Sequence, residues 1–206
     1  MLEISPINKR SLSAASLSTT NVLSPNFQVV RSQVFEFDRG ATIPQTAANF
    51  WLITSGAVKT LTWDETGKVS ILGYWGVGDV VGLPFSTVNP YEAECINEVK
   101  ARLISDRYSP NFVREITHCL HQTDELLRIV RIERMYHRLW QLLLWLSRKF
   151  GKATIQGTAI DLRITHQELA DLLGSTRVTV TRLLKQMETE QKILRPGRFT
   201  LVLKTD

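Results

Sequence analysis

THQELADLLGSTRVTVTRLLKQME, residues 165–188, decides how the rest of this 206-residue chain is read. Thr165 and Glu168 stand at capping-box spacing, which predicts a helix start there. Leu169 and Leu173 then turn inward, and Ala170 supplies the small side chain that a close helix crossing needs. Gly174 permits a sharp turn, and Ser175 is positioned to cap a second helix. At about 100° per residue the second helix sorts its side chains: Val180, Leu183, Leu184 and Met187 share one arc, while Arg177, Val178, Thr181, Arg182 and Lys185 occupy the opposite one. Two helices joined in this way form a helix-turn-helix. The outward face holds no carboxylate, unlike a merely solvated helix surface, where signs mix. Near the start of a recognition helix Arg177 can offer two hydrogen bonds to a guanine edge, Val178 and Thr181 can meet a thymine methyl, and Arg182 and Lys185 can take bases or phosphates. Ser175 and Thr176 at the turn, with Thr165, His166 and Gln167 at the start of the first helix, complete the set expected to face DNA.

Charge points to the same end of the chain. Residues 1–137 hold 13 Lys/Arg against 14 Asp/Glu, whereas residues 138–206 hold 12 against 6, so the whole basic excess lies in the last third. A localised basic end suits a polyanion such as nucleic acid better than an acidic small substrate, although charge alone does not separate DNA from an anionic membrane surface. The longest apolar run, LLLWL at 142–146, is far too short to span a bilayer, and SLSAASLSTT lacks the apolar core of a secretory signal. The expectation is a cytoplasmic protein with no membrane partner and a flexible first segment, residues 1–22. Two cysteines, Cys95 and Cys119, form neither a disulfide framework nor a CxxC metal pair and read as small buried residues.

Ahead of the helix-turn-helix the pattern changes twice. From Phe27 to about Ile104, short β-branched and aromatic runs (QVFEF, FWLITSGAVKTLTW, KVSILGYW) are broken by DRG, SGA, DETGK and GVGD, which predicts an antiparallel sandwich or barrel. After Ser109-Pro110, Val113, Ile116, Leu120, Thr123, Leu127 and Val130 recur at alternating spacings of three and four, with polar residues between. So narrow a seam favours pairing with a second copy of the chain; a helix packed on its own sheet is the alternative. A further helix is expected from Met135 to Phe150, with Leu139, Leu142, Leu143 and Leu146 on one face and Gly151 as its stop. A short strand, AIDLRI, follows at 159–164. ILRPGRFTLVLK at 193–204 reads as a hairpin around Pro196-Gly197 with Phe199, Leu201 and Leu203 alternating, and Arg195 and Arg198 flank its turn, where a wing would touch phosphate.

With these elements in order, the chain from about residue 27 resembles the CRP/FNR superfamily of bacterial transcription regulators. ITHQELADLLGSTRVTVTRLL carries most of the resemblance, and with ATIQGTAIDLRITHQ and LHQTDELL it looks most like the global nitrogen-control regulators of cyanobacteria. The resemblance implies an α+β chain: an N-terminal cyclic-nucleotide-binding-like antiparallel β-roll (23–108), a dimerisation helix (109–137) and a C-terminal winged helix-turn-helix (138–206). It implies a homodimer that binds double-stranded DNA, reads a GTA…TAC palindrome with Arg177 on the guanine of each half-site, and meets RNA polymerase.

The sensor end departs from the family pattern. Cyclic-nucleotide binders place Arg and then Ser or Thr where this chain has Tyr91-Glu92, and a carboxylate there would repel a cyclic phosphate, so cyclic AMP is not expected. The arginines of the nitrogen regulators' 2-oxoglutarate clamp fall at Asn89 and Cys119. An effector pocket, if the chain uses one, would be drawn from Val81, Gly82, Leu83, Asn89, Tyr91, Glu92, Cys119 and Asp124; no cofactor is expected and the effector has no name at this point. His118 and His121 can share a helix face, but without further ligands they read as surface histidines, not a metal site. No nucleophile beside a histidine, Gly-rich phosphate loop or carboxylate pair suggests an enzyme. A scaffold used only for protein interaction, the remaining rival, would leave the acid-free helix face unexplained.

Overall fold

The computed structural model describes residues 33–104, 110–197 and 199–204. The lead-in 1–22, the run from Phe27 to residue 32, the Ser109 break and Arg198 lie outside the described residues. Seven short strands come first: β1 (Val34–Phe37), β2 (Trp51–Ser55), β3 (Val58–Trp63), β4 (Val69–Trp75), β5 (Val80–Val81), β6 (Glu92–Cys95) and β7 (Val99–Leu103). They form two antiparallel sheets, ordered β1-β7-β2-β5 and β4-β3-β6. Alternation drives this layout. In β2, Trp51 and Ile53 are buried while Leu52 is only partly covered, so one strand face meets the opposite sheet at Val58, Ala93 and Cys95. Trp51 sits at the middle of that core with Phe35 and Phe37 edge-on to it at 5.2 and 5.7 Å, and its indole N–H donates to the Pro44 carbonyl. The β2–β3 turn needs Gly56: its φ is 85°, and a Cβ there would lie 2.2 Å from the Glu98 carbonyl oxygen.

Helix α1 (Pro110–Val130) follows, and it carries two apolar stripes. Phe112, Cys119, Leu126 and Ile129 are buried against the chain's own β-domain and helices. Val113, Leu120 and Leu127, seven residues apart, are 58, 59 and 54% exposed, and Thr123 is exposed beside them. Ile116 and Val130 belong instead to the inner side, half-buried against the Phe50 cluster and the helical core respectively. Ile116 and Val130 of the three-and-four repeat are thus shared with the chain's own packing, and Val113, Leu120, Thr123 and Leu127 are its exposed members.

Helix α2 (Met135–Phe150) buries Leu139, Leu142, Leu143 and Leu146 as expected, together with Trp145. Gly151 ends it, as expected. Its backbone is extended, and it is needed because a Cβ would lie 2.0 Å from the Ser147 carbonyl oxygen as the chain turns directly into a strand. That strand, β8 (Gly151–Thr154), pairs with β9 (Gly157–Ile160). Of the expected AIDLRI strand only Ala159-Ile160 lies in β9; Leu162 and Ile164 are buried without joining the ladder. Helices α3 (His166–Leu173) and α4 (Arg177–Thr189) come next, then β10 (Ile193–Leu194) and β11 (Leu201–Leu203), completing a sheet ordered β10-β11-β9-β8. Leu201, Val202 and Leu203 are all buried, so β11 is covered on both faces and does not alternate.

The helical core is not closed within the C-terminal third. Ala57, Ile71 and Tyr74 of the β-domain are buried in the same cluster as the leucines of α2, Leu169 and Leu173 of α3 and Met187 of α4. The helix-turn-helix is thus seated on the outer face of β3 and β4.

Candidate DNA interface

The capping box at the start of α3 is fully formed. The Thr165 hydroxyl oxygen accepts from the Glu168 backbone N–H at 3.1 Å, and the Glu168 carboxylate accepts from the Thr165 backbone N–H at 2.7 Å. Gly174 adopts a left-handed conformation (φ 61°, ψ 42°) that lets the Ser175 N–H return to the Ala170 carbonyl. Ser175 thereby closes α3 and does not cap α4, as the spacing had suggested. The cap is Thr176, whose backbone is extended and whose hydroxyl oxygen accepts from the Thr179 N–H at 3.2 Å.

Val180, Leu183, Leu184 and Met187 of α4 are buried, while Arg177, Val178, Thr181, Arg182 and Lys185 are exposed, Val178 to 78%. Arg177, Arg182 and Lys185 form no ion pair among the described residues. Several other cations of the C-terminal third are paired, Arg148 with Glu125, Lys149 with Asp79, Lys152 with Asp161, Lys192 with Glu190 and Arg195 with Glu188, while Arg138, Arg163 and Lys204 bond to carbonyls, a ring and an amide instead. The α4 face therefore presents three positive charges and a bare valine to solvent.

Around this face, His166 Nδ1 lies 2.8 Å from the Thr181 hydroxyl, joining the first turn of α3 to the reading side of α4. Burial, with the nearby charges of Arg195 and Arg177, holds the His166 imidazole below its ordinary range and favours the neutral ring. Gln167 donates to Asp171 on its own helix. Arg195 turns back to Glu188, at 3.1 Å, and so does not stand free at the wing; a carboxylate one helix away satisfies it locally. Arg198 falls outside the described residues.

At the sensor end the structure brings together Gly82, Tyr91 and Cys119. The Cys119 thiol accepts from the Val80 N–H at 3.3 Å, next to buried Val81, and burial pushes the Tyr91 phenol up to about 12 despite a hydrogen bond from Gly82. Leu83 begins a 3₁₀ turn, Asn89 precedes a cis Pro90, Glu92 accepts from the Thr42 hydroxyl, and Asp124 is on the exposed side of α1. His118 and His121 are exposed; His118 lies 3.6 Å from Asp79, and among the described residues no group of three metal-ligating side chains occurs.

Two polar groups between the layers escaped sequence reading. Lys59 of β3 reaches Glu168 at 2.8 Å and Glu94 at 3.1 Å. Asp79, 1% exposed, receives the Gly76 N–H, the Gln122 amide and the Lys149 ammonium, the last at 2.6 Å. Lys149 is enclosed by Trp75, Trp145 and Phe150, and its burial lowers its pKa against the pull of Asp79. Neither pair has a local signature, because the partners are 109 and 70 positions apart and meet only once the layers pack.

Residues 137–204 match the family of Crp-like helix-turn-helix domains. The chain is 40% identical over 167 residues to the regulatory protein CysR of Synechococcus elongatus, covering 80% of this chain and 81% of that protein. It is 38% identical over 176 residues to the global nitrogen regulator of Nostoc sp., covering 76% and 79%. Its fold is that of a CRP/FNR-family transcriptional regulator from Thermus thermophilus, with a TM-score of 0.68 at 22% identity over 84% of this chain and 93% of that one. No helix among the described residues is long and apolar enough to cross a membrane. With a helix-turn-helix of this build behind an antiparallel β-domain, and regulators of cyanobacteria among its relatives, the chain belongs to the CRP/FNR superfamily of transcription regulators.

Proposed function

We propose that the protein works as a homodimer that reads a GTA…TAC-like palindrome, one recognition helix per half-site, without cyclic AMP. The observation that carries this reading is the unpaired cationic face of α4 on a helix-turn-helix whose caps and core are complete. Arg177 supplies the bidentate guanine contact, Val178 and Thr181 the methyl contacts, and Arg182 and Lys185 further base or phosphate contacts. Ser175, Thr176, Thr165, His166 and Gln167 border the face. Val113, Leu120 and Leu127, with Thr123 between them, form the strip that pairs two chains, setting two α4 helices about 34 Å apart in successive major grooves. Residues 23–108 serve as the sensor-like domain, 109–137 as the dimerisation segment and 138–206 as the DNA-binding domain. RNA polymerase is the further partner, engaged once the dimer is on DNA. The Tyr91-Glu92 pair argues against a cyclic phosphate in the β-domain.

A second reading, gating by a small metabolite or redox signal, has one observation in its favour. Tyr91, Gly82 and Val80 meet α1 at Cys119, so a ligand seated beside Tyr91 would press on the dimer helix. Fluorescence anisotropy of the effector-free protein on palindromic and scrambled duplexes at two salt concentrations separates the two. Tight, palindrome-selective binding that weakens with salt supports ungated reading. Equally weak binding to both refutes it.

A further inference from the structure

The β-domain, α1 and the end of α2 leave between them a crevice of about 740 Å³, within the size range of small-molecule sites. Ala57 and Val77 of the β-domain form one wall, His118 and Gln122 of α1 a second, and Lys149 and Phe150 of α2 the third. Cys119, one position from His118, is bonded to Val80 instead, and neither it nor Tyr91 nor Gly82 lines this space. The crevice is therefore separate from the surroundings of Tyr91.

The charged groups around it are unevenly committed. Asp79, buried between the walls, is satisfied: it accepts from the Gly76 N–H, the Gln122 amide and the Lys149 ammonium. Lys149 has capacity left. An ammonium carries three donors, Asp79 and Gln122 take two, and the described residues offer no third acceptor, only the flanking rings of Trp75, Trp145 and Phe150. Burial disfavours the charged form of Lys149, a penalty that a further anion beside it would offset. On the rim, the side chains of Arg148 and Lys152 are 63 and 73% exposed, each in a single pair, with Glu125 and Asp161 respectively. Exposed pairs of this kind are weakly held, so both cations can turn to a ligand at little cost. His118, the remaining titratable group on the walls, is exposed at 3.6 Å from Asp79.

We propose that this crevice is a binding site for a small organic acid, whose carboxylate takes the remaining donor of Lys149 and pairs with Arg148 while its apolar body lies against Ala57, Val77 and Phe150. The sign of the ligand follows from the walls. A cationic ligand would face Lys149, Arg148 and Lys152, and the deepest carboxylate, Asp79, has no acceptor to spare for it. The apolar part follows from Val77, which is 69% exposed and which such a body would cover. A ligand seated there touches the β-domain, α1 and α2 at once, so it binds the packed chain and not the unfolded one, and raises the melting temperature. The site depends neither on the palindrome reading nor on a ligand beside Tyr91.

Isothermal titration calorimetry of the full chain with phenylbutyrate tests this. Phenylbutanol keeps the body without the charge, phenylbutylamine reverses the charge, and acetate keeps the charge without the body. Saturable one-to-one binding of phenylbutyrate, at least about tenfold tighter than any of the three and accompanied by a higher melting temperature, is the expected result. Because Lys149→Met would strand buried Asp79, the variants are made on the rim. Arg148→Gln removes a cation and Val77→Glu adds a carboxylate, both at exposed side chains. Each should weaken phenylbutyrate by about fivefold or more, with the melting temperature of the free protein nearly unchanged. Absence of saturable binding, equal binding of the alcohol or the amine, or variants that bind phenylbutyrate as wild type does would each overturn the site.

Discussion

Lys59 of β3 and Glu168 of α3 meet at 2.8 Å, although 109 positions separate them in the chain. Glu168 is the capping-box residue of α3, so one carboxylate both starts a helix of the helix-turn-helix and ties that helix to the β-domain. The pair is substantially buried, with side chains 15 and 19% exposed. Lys59→Met would strand Glu168 beside Glu94 and is expected to destabilise the fold by about 1–3 kcal/mol, read as a lowered midpoint in urea unfolding. Burial pushes the Glu168 carboxyl up, but the Lys59 and Thr165 hydrogen bonds outweigh it and hold its pKa below the ordinary glutamate value. A carboxyl depressed in the folded state contributes stability that is present above its unfolded pKa and is lost as pH falls through its folded one. The difference between wild type and Lys59→Met should therefore shrink in acid below the ordinary glutamate range. A constant difference from neutral to strongly acidic pH would show that the ion pair does not hold these elements.

Arg177 forms no ion pair among the described residues, so Arg177→Ala should leave the melting temperature nearly unchanged. DNA binding should weaken by about 1–3 kcal/mol per half-site, with preference at the guanine relaxed. Competition binding with duplexes substituted at that base pair reads both effects. Unchanged base preference would remove Arg177 from the role assigned to it.

The two stripes of α1 allow the proposed dimerisation to be tested apart from folding. Replacing Leu120 and Leu127 by Glu alters only the exposed stripe and leaves Cys119, Leu126 and Ile129 in the core. Sedimentation should report monomers with helix content preserved by circular dichroism. A variant that stays dimeric would place the interface elsewhere.

Capping makes a sharper distinction between neighbours. Thr176→Ala removes the acceptor for the Thr179 N–H and should cost about 1 kcal/mol, whereas Ser175→Ala, whose role runs through its backbone N–H, should cost less. Thermal melts of the two variants that rank in the opposite order would return the cap to Ser175.

Where a property depends on neighbours three or four positions apart, the amino-acid sequence alone determined it. The capping box at Thr165, the left-handed Gly174, the limits of α2 and the division of α4 into a leucine face and an arginine face all follow from helical periodicity and side-chain chemistry within one or two turns. Tertiary structure decided what depends on distant partners. It packed Ile116 and Val130 partly against the protein, started α4 at Arg177 so that Thr176 and not Ser175 holds the cap position, and turned Arg195 to Glu188. It also joined Lys59 to Glu168, Asp79 to Lys149 and Arg138 to Leu173. Such polar pairs carry no periodic signal: burial leaves an unpaired charge or carbonyl too unfavourable to persist, and which group satisfies it is settled only when sheet and helices come within hydrogen-bonding distance.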